Sequence, residues 1–253
     1  MISVVLLGAG NVATHLFKAC SKSETVSVVQ WYNRTRSTIA PYANETAITD
    51  DLSALKEADI YILAVSDDSI EKLSKDLPFT GRLIAHTSGS VAMHDLDKKN
   101  KISVFYPLQT FSKSTDLNFS EVPICIEVYQ KENRQILKDL AKAIGCTSHK
   151  ISTEQRQAIH LSAVFVNNFT NQLYRIGHEI CESNNIEFDI MKPLIMETAK
   201  KIQDISPYKA QTGPAKRKDK KTIKRHLKQI ENDAHKKIYE LLTASIKHTH
   251  KYS

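Results

Sequence analysis

Short apolar runs separated by polar turns dominate the first 150 residues. The run at residues 2–7 ends in Gly8 and Gly10, after which Val12, Leu16 and Cys20 recur at helical spacing. The same pattern predicts further strands at residues 26–32, 59–65, 82–86, 122–129 and 146–151 and helices at residues 51–58 and 132–144. Strands that alternate with helices predict an α/β fold with a doubly wound, mostly parallel sheet.

Beyond residue 151 only helical periodicity continues. Residues 154–184 contain no proline and a single Gly177, which predicts one long helix. Further helices are predicted from Asp189 to about residue 205 and from Asp219 to about residue 248. We therefore expect a sheet domain at residues 1–151, followed by an all-helical domain at residues 152–253.

The first turn has three features that suit a dinucleotide. Gly8 permits a tight turn, Gly10 lets the backbone approach a pyrophosphate, and the small Ala13 lets the helix pack close to the strand. The N-terminus of that helix would offer free N–H groups and a partial positive charge to the phosphates. This order of strand, glycine turn and helix predicts a Rossmann-like domain.

The end of the second strand indicates which dinucleotide is bound. NAD-binding domains place an acidic residue there for the ribose 2′-hydroxyl, whereas an arginine accommodates a 2′-phosphate. Arg34 follows this strand, between Asn33 and Thr35, and favours NADP(H) over NAD. The alternative is an ordinary polar turn. With the turns after the later strands, the predicted cofactor-binding residues are Gly8, Gly10, Asn11, Val12, Asn33, Arg34, Thr35, Ala64, Val65, Ser66, Asp67 and Ser88.

Charge is concentrated in the second half. Residues 1–150 carry no net charge, so residues 151–253 hold the entire +7, and nine basic residues lie between Lys209 and Lys228. Such a stretch can be a solvated face or can attract an anionic substrate. Nucleic-acid binding is a third interpretation, but no aromatic interleaving or nucleic-acid motif accompanies the charge.

The cysteines and the hydropathy of the sequence bear on metal binding, membrane insertion and location. The four cysteines show no C-x-x-C pair and no metal-ligand spacing. No apolar run approaches the ~20 residues of a membrane span. We therefore expect no metal, no membrane and a cytoplasmic location.

The predicted long helix carries the candidate proton chemistry. His160 begins a polar stripe, and Asn167 lies on the same face seven residues later. Histidine can exchange protons at neutral pH, so we expect His160 to act as proton donor, with Asn167 orienting it or the substrate. Asn168 lies about 80° round a straight helix and is the less suitable partner. The alternative is a histidine that only supports the structure.

Seven motifs occur in one order: GAGNVA, NRT, AVSDD, HTSGS, FYPLQTFS, AIHLSAVFVNNF and TGPAKRKD. Their combination resembles a family of NADP oxidoreductases that join a Rossmann-like domain to a C-terminal helical domain of unknown function. More distantly, it is similar to pyrroline-5-carboxylate reductases and 3-hydroxyisobutyrate dehydrogenases. The resemblance implies NADP(H), a dimer formed through the C-terminal helices, and a cleft between the domains. The substrate-binding residues expected from the matching motifs are His86, Gln109, Thr212, Gly213 and Arg217, the last for an anionic group.

Two functions are open at this stage. The first is an enzyme that transfers hydride between NADPH and a small carbonyl or imine substrate bound between the domains. The alternative is a non-catalytic NADP-sensing dimer that docks an acidic partner through its basic C-terminal stretch.

Overall fold

A computed structural model describes residues 1–112 and 117–251, and within them eight strands form one sheet. The strands are β1 (Ile2–Leu7), β2 (Val26–Tyr32), β3 (Ile48–Thr49), β4 (Ile60–Leu63), β5 (Leu83–His86), β6 (Lys101–Pro107), β7 (Ile124–Val128) and β8 (Ser148–Lys150). Their spatial order is β3-β2-β1-β4-β5-β6-β7-β8. All neighbours are parallel except β6 and β7. The predicted Rossmann-like, mostly parallel sheet is confirmed.

Helices α1 (Asn11–Ser21), α2 (Asp67–Asp76) and α3 (Arg134–Ala143) accompany the sheet. One apolar cluster joins a sheet face to α1 and α3 and includes the fully buried Trp31. The second cluster joins the opposite face to α2. The order of strands reverses between β1 and β4, which is where doubly wound sheets bind ligands beyond the carboxyl ends of their strands.

The structure differs from the sequence prediction at three places in this region. The predicted helix at residues 51–58 is only a 3-10 turn at Leu52–Ala54, with Asp51 accepting a hydrogen bond from the Ser53 backbone. Strand β6, which ends at Pro107, was not among the predicted strands. Strand β3 was not predicted, because its two residues form too short a run to show a period.

In the described part of the chain, one 3-10 turn (Phe188–Met191) and seven α- or π-helical segments follow the sheet. The seven segments are α4 (Thr153–Ala163), a π-helix (Val164–Phe169), α5 (Thr170–Ser183), α6 (Lys192–Asp204), α7 (Pro207–Ala210), α8 (Lys220–Gln229) and α9 (Asp233–Thr249). By compactness the chain divides into residues 1–168 and residues 169–253. The strands end at Lys150, close to the predicted boundary, whereas α4 and most of the π-helix group with the sheet. The division at residue 151 stays a prediction.

Two predicted helices are interrupted. The one at residues 154–184 continues through Gly177 but contains the π-helix. The one from Asp219 begins as expected, since that carboxylate accepts from the Thr222 backbone N–H, but stops at Gln229. Asn232 then caps α9. None of the described helices is long and apolar enough to cross a membrane.

A buried ion pair joins α4 to the sheet. The Arg156 side chain is completely buried, and its guanidinium contacts the Glu127 carboxylate of β7 at 3.2 Å. The Thr153 hydroxyl donates to the other Glu127 oxygen, and Arg156 Nη1 donates to the Ser88 carbonyl at 2.9 Å. Because each charge is hydrogen-bonded, the pair tolerates burial. Removal of one partner would leave a lone buried charge.

We expect Arg156→Met to lower the free energy of unfolding by about 3–5 kcal/mol, because the Glu127 carboxylate loses its cation inside the protein. Arg175→Met is the matched control. It removes an exposed i,i+4 pair with Glu179, and we expect it to cost less than about 1 kcal/mol. Urea denaturation of both variants is the measurement. Equal losses would show that the Arg156 pair contributes no more than a surface contact.

Candidate cofactor and active site

The turn after β1 brings two strand ends together. Gly8 has φ +110°, and a Cβ there would collide with the Ala64 carbonyl oxygen at the end of β4. The Gly8 carbonyl accepts a hydrogen bond of 2.6 Å from the buried Trp31 indole, and its N–H donates to the Tyr32 carbonyl. The left-handed backbone and the close approach both require glycine at this position.

Gly10 serves a different purpose. It precedes α1 with an extended backbone that any residue adopts, and it supplies no side-chain cap. Of the described atoms, none lies within 4 Å of where its Cβ would be. The space beside Gly10 at the N-terminus of α1 is therefore open, as a pyrophosphate bound at this helix N-terminus requires. The residues present fit a dinucleotide.

A cavity of about 800 Å³ extends from this turn across the ends of the strands. Eleven of the twelve predicted cofactor-binding residues line it: Gly8, Gly10, Asn11, Val12, Asn33, Arg34, Ala64, Val65, Ser66, Asp67 and Ser88. Thr35 is not among the lining residues; its carbonyl accepts from the Asn33 side chain at 2.9 Å. Its role as a cofactor contact stays a prediction.

Sequence reasoning missed one wall of this cavity. Four residues of α2 line it: Ser69, Lys72, Leu73 and Asp76. Their spacing is that of one helix face, so the α2 periodicity contained the signal. The rule that ligands bind beyond the carboxyl ends of the strands did not reveal this wall, because it concerns the turns after the strands and not the sides of the helices.

His160, in the last turn of α4, also lines this cavity. Its Nδ1 lies 3.2 Å from the Tyr106 hydroxyl of β6. Its ring packs on Gly89, where a Cβ would collide with the imidazole. The three residues line the cavity together with Gln109. The sequence pattern predicted His160 and Gln109 as site residues, but it did not predict the contact of His160 with Tyr106.

The loop beneath His160 is held by several hydrogen bonds. The buried Arg156 donates to the Ser88 carbonyl, and Gln157 Nε2 donates to the Ser90 carbonyl at 2.8 Å. The Ser90 hydroxyl donates to Asp67 at the start of α2. Arg156 and Gln157 thus hydrogen-bond to the same loop that the His160 ring contacts at Gly89.

His86 is placed differently from the prediction. Its side chain is fully buried, and Nδ1 accepts a hydrogen bond from the Ser88 backbone N–H at 3.1 Å. Burial, followed by the nearby Arg156 cation, lowers the pKa of His86 to about 3, so its ring is neutral at neutral pH. The neighbouring Thr87, Ser88 and Gly89 line the cavity, but His86 is not among its lining residues. A direct contact of His86 with substrate stays a prediction that this geometry does not support.

A second cavity of about 370 Å³ shares Tyr106, Gln109 and His160 with the first. Asn167 and Asn168 of the π-helix both line it. The remaining lining is largely apolar, with Leu108, Ile159, Ala163, Val164 and Val166. Within the part of the chain that the structure describes, neither carboxamide has a hydrogen-bond partner.

Three predicted substrate-binding residues lie in the second compact unit. Thr212, Gly213 and Arg217 belong to the loop between α7 and α8, in which Gly213 has φ +98° and Arg217 is exposed. Their contact with substrate stays a prediction.

Known proteins resemble the chain over its whole length. A protein of Bacteroides fragilis described as a "putative NADP oxidoreductase" is 37% identical, with 99% of this chain and 98% of that chain covered and a TM-score of 0.87. The chain belongs to this NADP oxidoreductase family. The profile described as NADP oxidoreductase, coenzyme F420-dependent, matches residues 3–87, and that of a domain of unknown function, DUF2520, matches residues 122–246.

Two further structures share the fold of the family. A protein of Thermotoga maritima is 18% identical with a TM-score of 0.72, and 98% of each chain is covered. An imine reductase of Aspergillus terreus is 11% identical with a TM-score of 0.57, over 85% of this chain and 82% of that chain. No curated protein matches the sequence.

Family membership and the glycine turn agree on the cofactor, which is NADP(H). The predicted family and fold class are confirmed. The α1 N-terminus would hold the pyrophosphate, and Arg34 would hold the 2′-phosphate.

We expect Gly10→Ala to weaken NADPH binding about tenfold or more, because its methyl group would occupy the space that the pyrophosphate needs. Stability without cofactor should change little, since the methyl group meets no neighbouring atom. Gly8→Ala is the contrasting variant and should lose stability. Titration with NADPH, observed through the single Trp31, and urea denaturation measure the two effects. Unchanged NADPH affinity in Gly10→Ala would contradict the assigned site.

We expect Arg34→Ala to weaken NADPH binding about 10- to 100-fold, the value of hydrogen bonds to a charged group, and to leave the weaker NADH binding unchanged. Arg36→Ala is the control, because Arg36 is exposed and lies outside the residues that line the cavity. Parallel titrations with the two dinucleotides test this. If both variants weaken NADPH binding equally, Arg34 does not bind the 2′-phosphate.

Proposed function

We propose that this chain is an enzyme that transfers hydride between NADPH and a small carbonyl or imine compound, with His160 as the proton donor. The observation that carries the proposal is the position of His160. His160 lines both the cofactor cavity and the adjoining 370 Å³ cavity, which supports a role in giving a proton to a substrate beside the nicotinamide. Membership of an oxidoreductase family favours this function over a non-catalytic NADP sensor.

The proton has a defined route. NADPH, when bound, supplies a hydride to the carbonyl or imine carbon. The substrate oxygen or nitrogen then needs a proton, which His160 donates from Nε2, because Nδ1 is held by the Tyr106 hydroxyl. Water can reprotonate the imidazole. Oxidation of the corresponding alcohol or amine uses the same groups in reverse.

Tyr106 keeps its proton throughout this cycle. Burial raises the pKa of its hydroxyl, which therefore stays neutral at neutral pH. Because the imidazole gives its proton from Nε2, Nδ1 stays protonated, and the phenol oxygen can accept from the Nδ1–H before and after the transfer. The contact with Nδ1 survives the transfer, and Tyr106 acts as a positioning residue for His160.

The homodimer and the site between domains belong to the same proposal. Many large apolar side chains on the C-terminal helices are exposed in the single chain, among them Ile190, Leu194, Met196 and Leu241. Exposed apolar surface of this kind is typical of a protein interface. The dimer, the closure of the substrate site by the helical domain and the contact of Arg217 with an anionic group stay predictions.

We expect His160→Ala to lower kcat about 10²- to 10⁴-fold, the usual contribution of a positioned proton donor, with NADPH affinity nearly unchanged. The assay is NADPH oxidation with a panel of imines, aldehydes and 2-oxo acids. His149→Ala is the control, because His149 is an exposed histidine of β8. Equal losses of turnover and NADPH affinity would contradict the role of His160 as proton donor. If the wild-type protein reduces no compound of the panel, the proposed reaction is contradicted.

A further inference from the structure

The π-helix changes which asparagine faces the same way as His160. An α-helix turn contains 3.6 residues, and hydrogen bonds to the fifth residue add roughly one residue to a π turn. One turn of each kind therefore spans about eight residues, which is the separation of His160 and Asn168. In the straight helix expected from sequence, the residue on this face would be Asn167.

We propose that Asn168 binds the polar group of the substrate beside His160, and that the π-helix exists to place it there. This inference rests on the proposed function. It assigns to Asn168 a role that the sequence pattern gave to its neighbour, and it makes Asn168 the residue that discriminates between substrates in the 370 Å³ cavity.

A carboxamide suits both substrate classes. Its Nδ2 donates to a carbonyl oxygen, and its Oδ1 accepts from the N–H that an imine gains when it receives the proton of His160. One neutral side chain can therefore hold the reacting C=O or C=N group while His160 delivers the proton. π-Helical turns inside α-helices are frequent at functional sites, and this one begins four residues after His160.

The remaining lining indicates the rest of the substrate. Ile159, Val164 and Val166 contribute apolar surface to the same cavity. A compound whose reactive group is its main polar feature, carried on a small apolar ring or branched chain, satisfies both kinds of surface. The inferred substrate class is therefore a small, mainly apolar ketone or cyclic imine.

The test compares adjacent residues. Asn168→Ala and Asn167→Ala remove the same side chain from two consecutive exposed positions of one π-helix, so any general effect on the helix should be shared. The probe is N-methyl-2-pyrrolidinone, a carbonyl compound that NADPH cannot readily reduce, titrated by NMR into the protein saturated with NADP⁺. Asn168→Asp is included because it keeps the shape but removes the N–H donor.

We expect both Asn168 variants to weaken probe binding about tenfold and Asn167→Ala to change it less than about twofold. NADP⁺ affinity, measured through Trp31, should be unchanged in all three, which also confirms folding. For any substrate found in the panel, KM should rise in the Asn168 variants. An equal or larger effect of Asn167→Ala, or no probe binding by the wild type, would overturn the inference. Probe binding that depends on Asn168 in a protein without turnover would instead refute only the proposed reaction.

Discussion

The structure depends on the close approach of β1 and β4 at Gly8. The Ala64 carbonyl occupies the space that any side chain at residue 8 would need, and the Trp31 indole binds the Gly8 carbonyl from the core. This contact ends β1, aims α1 at the cavity and leaves its first N–H groups free. A single steric constraint in the sheet thereby produces a phosphate-binding surface without any charged side chain.

The far end of the site is assembled by longer-range contacts. His160 rests on Gly89, contacts Tyr106, and follows by one turn the Arg156 that is buried against Glu127. Each contact fixes a different degree of freedom: the height of the ring above the loop, its rotation, and the position of the helix on the sheet. A flexible side chain on a surface helix would lack this precision, which proton transfer requires.

Local signals made the first part of the fold predictable. The strand, glycine turn and helix of residues 2–21 lie next to one another in sequence, so apolar period and turn chemistry were enough to locate them. Strand β3 was missed because its pairing with Trp31 and Tyr32 is a tertiary contact. Likewise, the Tyr106 contact with His160 joins residues 54 apart. The π-helix escaped prediction because helical periodicity was measured at 3.6 residues per turn, which selected Asn167 and not Asn168 as the residue on the face of His160.

The buried pair of Arg156 and Glu127 also constrains how this protein can evolve. Replacement of either residue alone leaves one uncompensated buried charge next to the loop of residues 88–90, so we expect such single replacements to be selected against. Positions 127 and 156 are therefore expected to covary among relatives: either both stay charged or both become apolar together. Arg156 also donates a hydrogen bond to the Ser88 carbonyl. An apolar pair at positions 127 and 156 would therefore need another donor for that carbonyl, and we expect the charged pair to be retained more often.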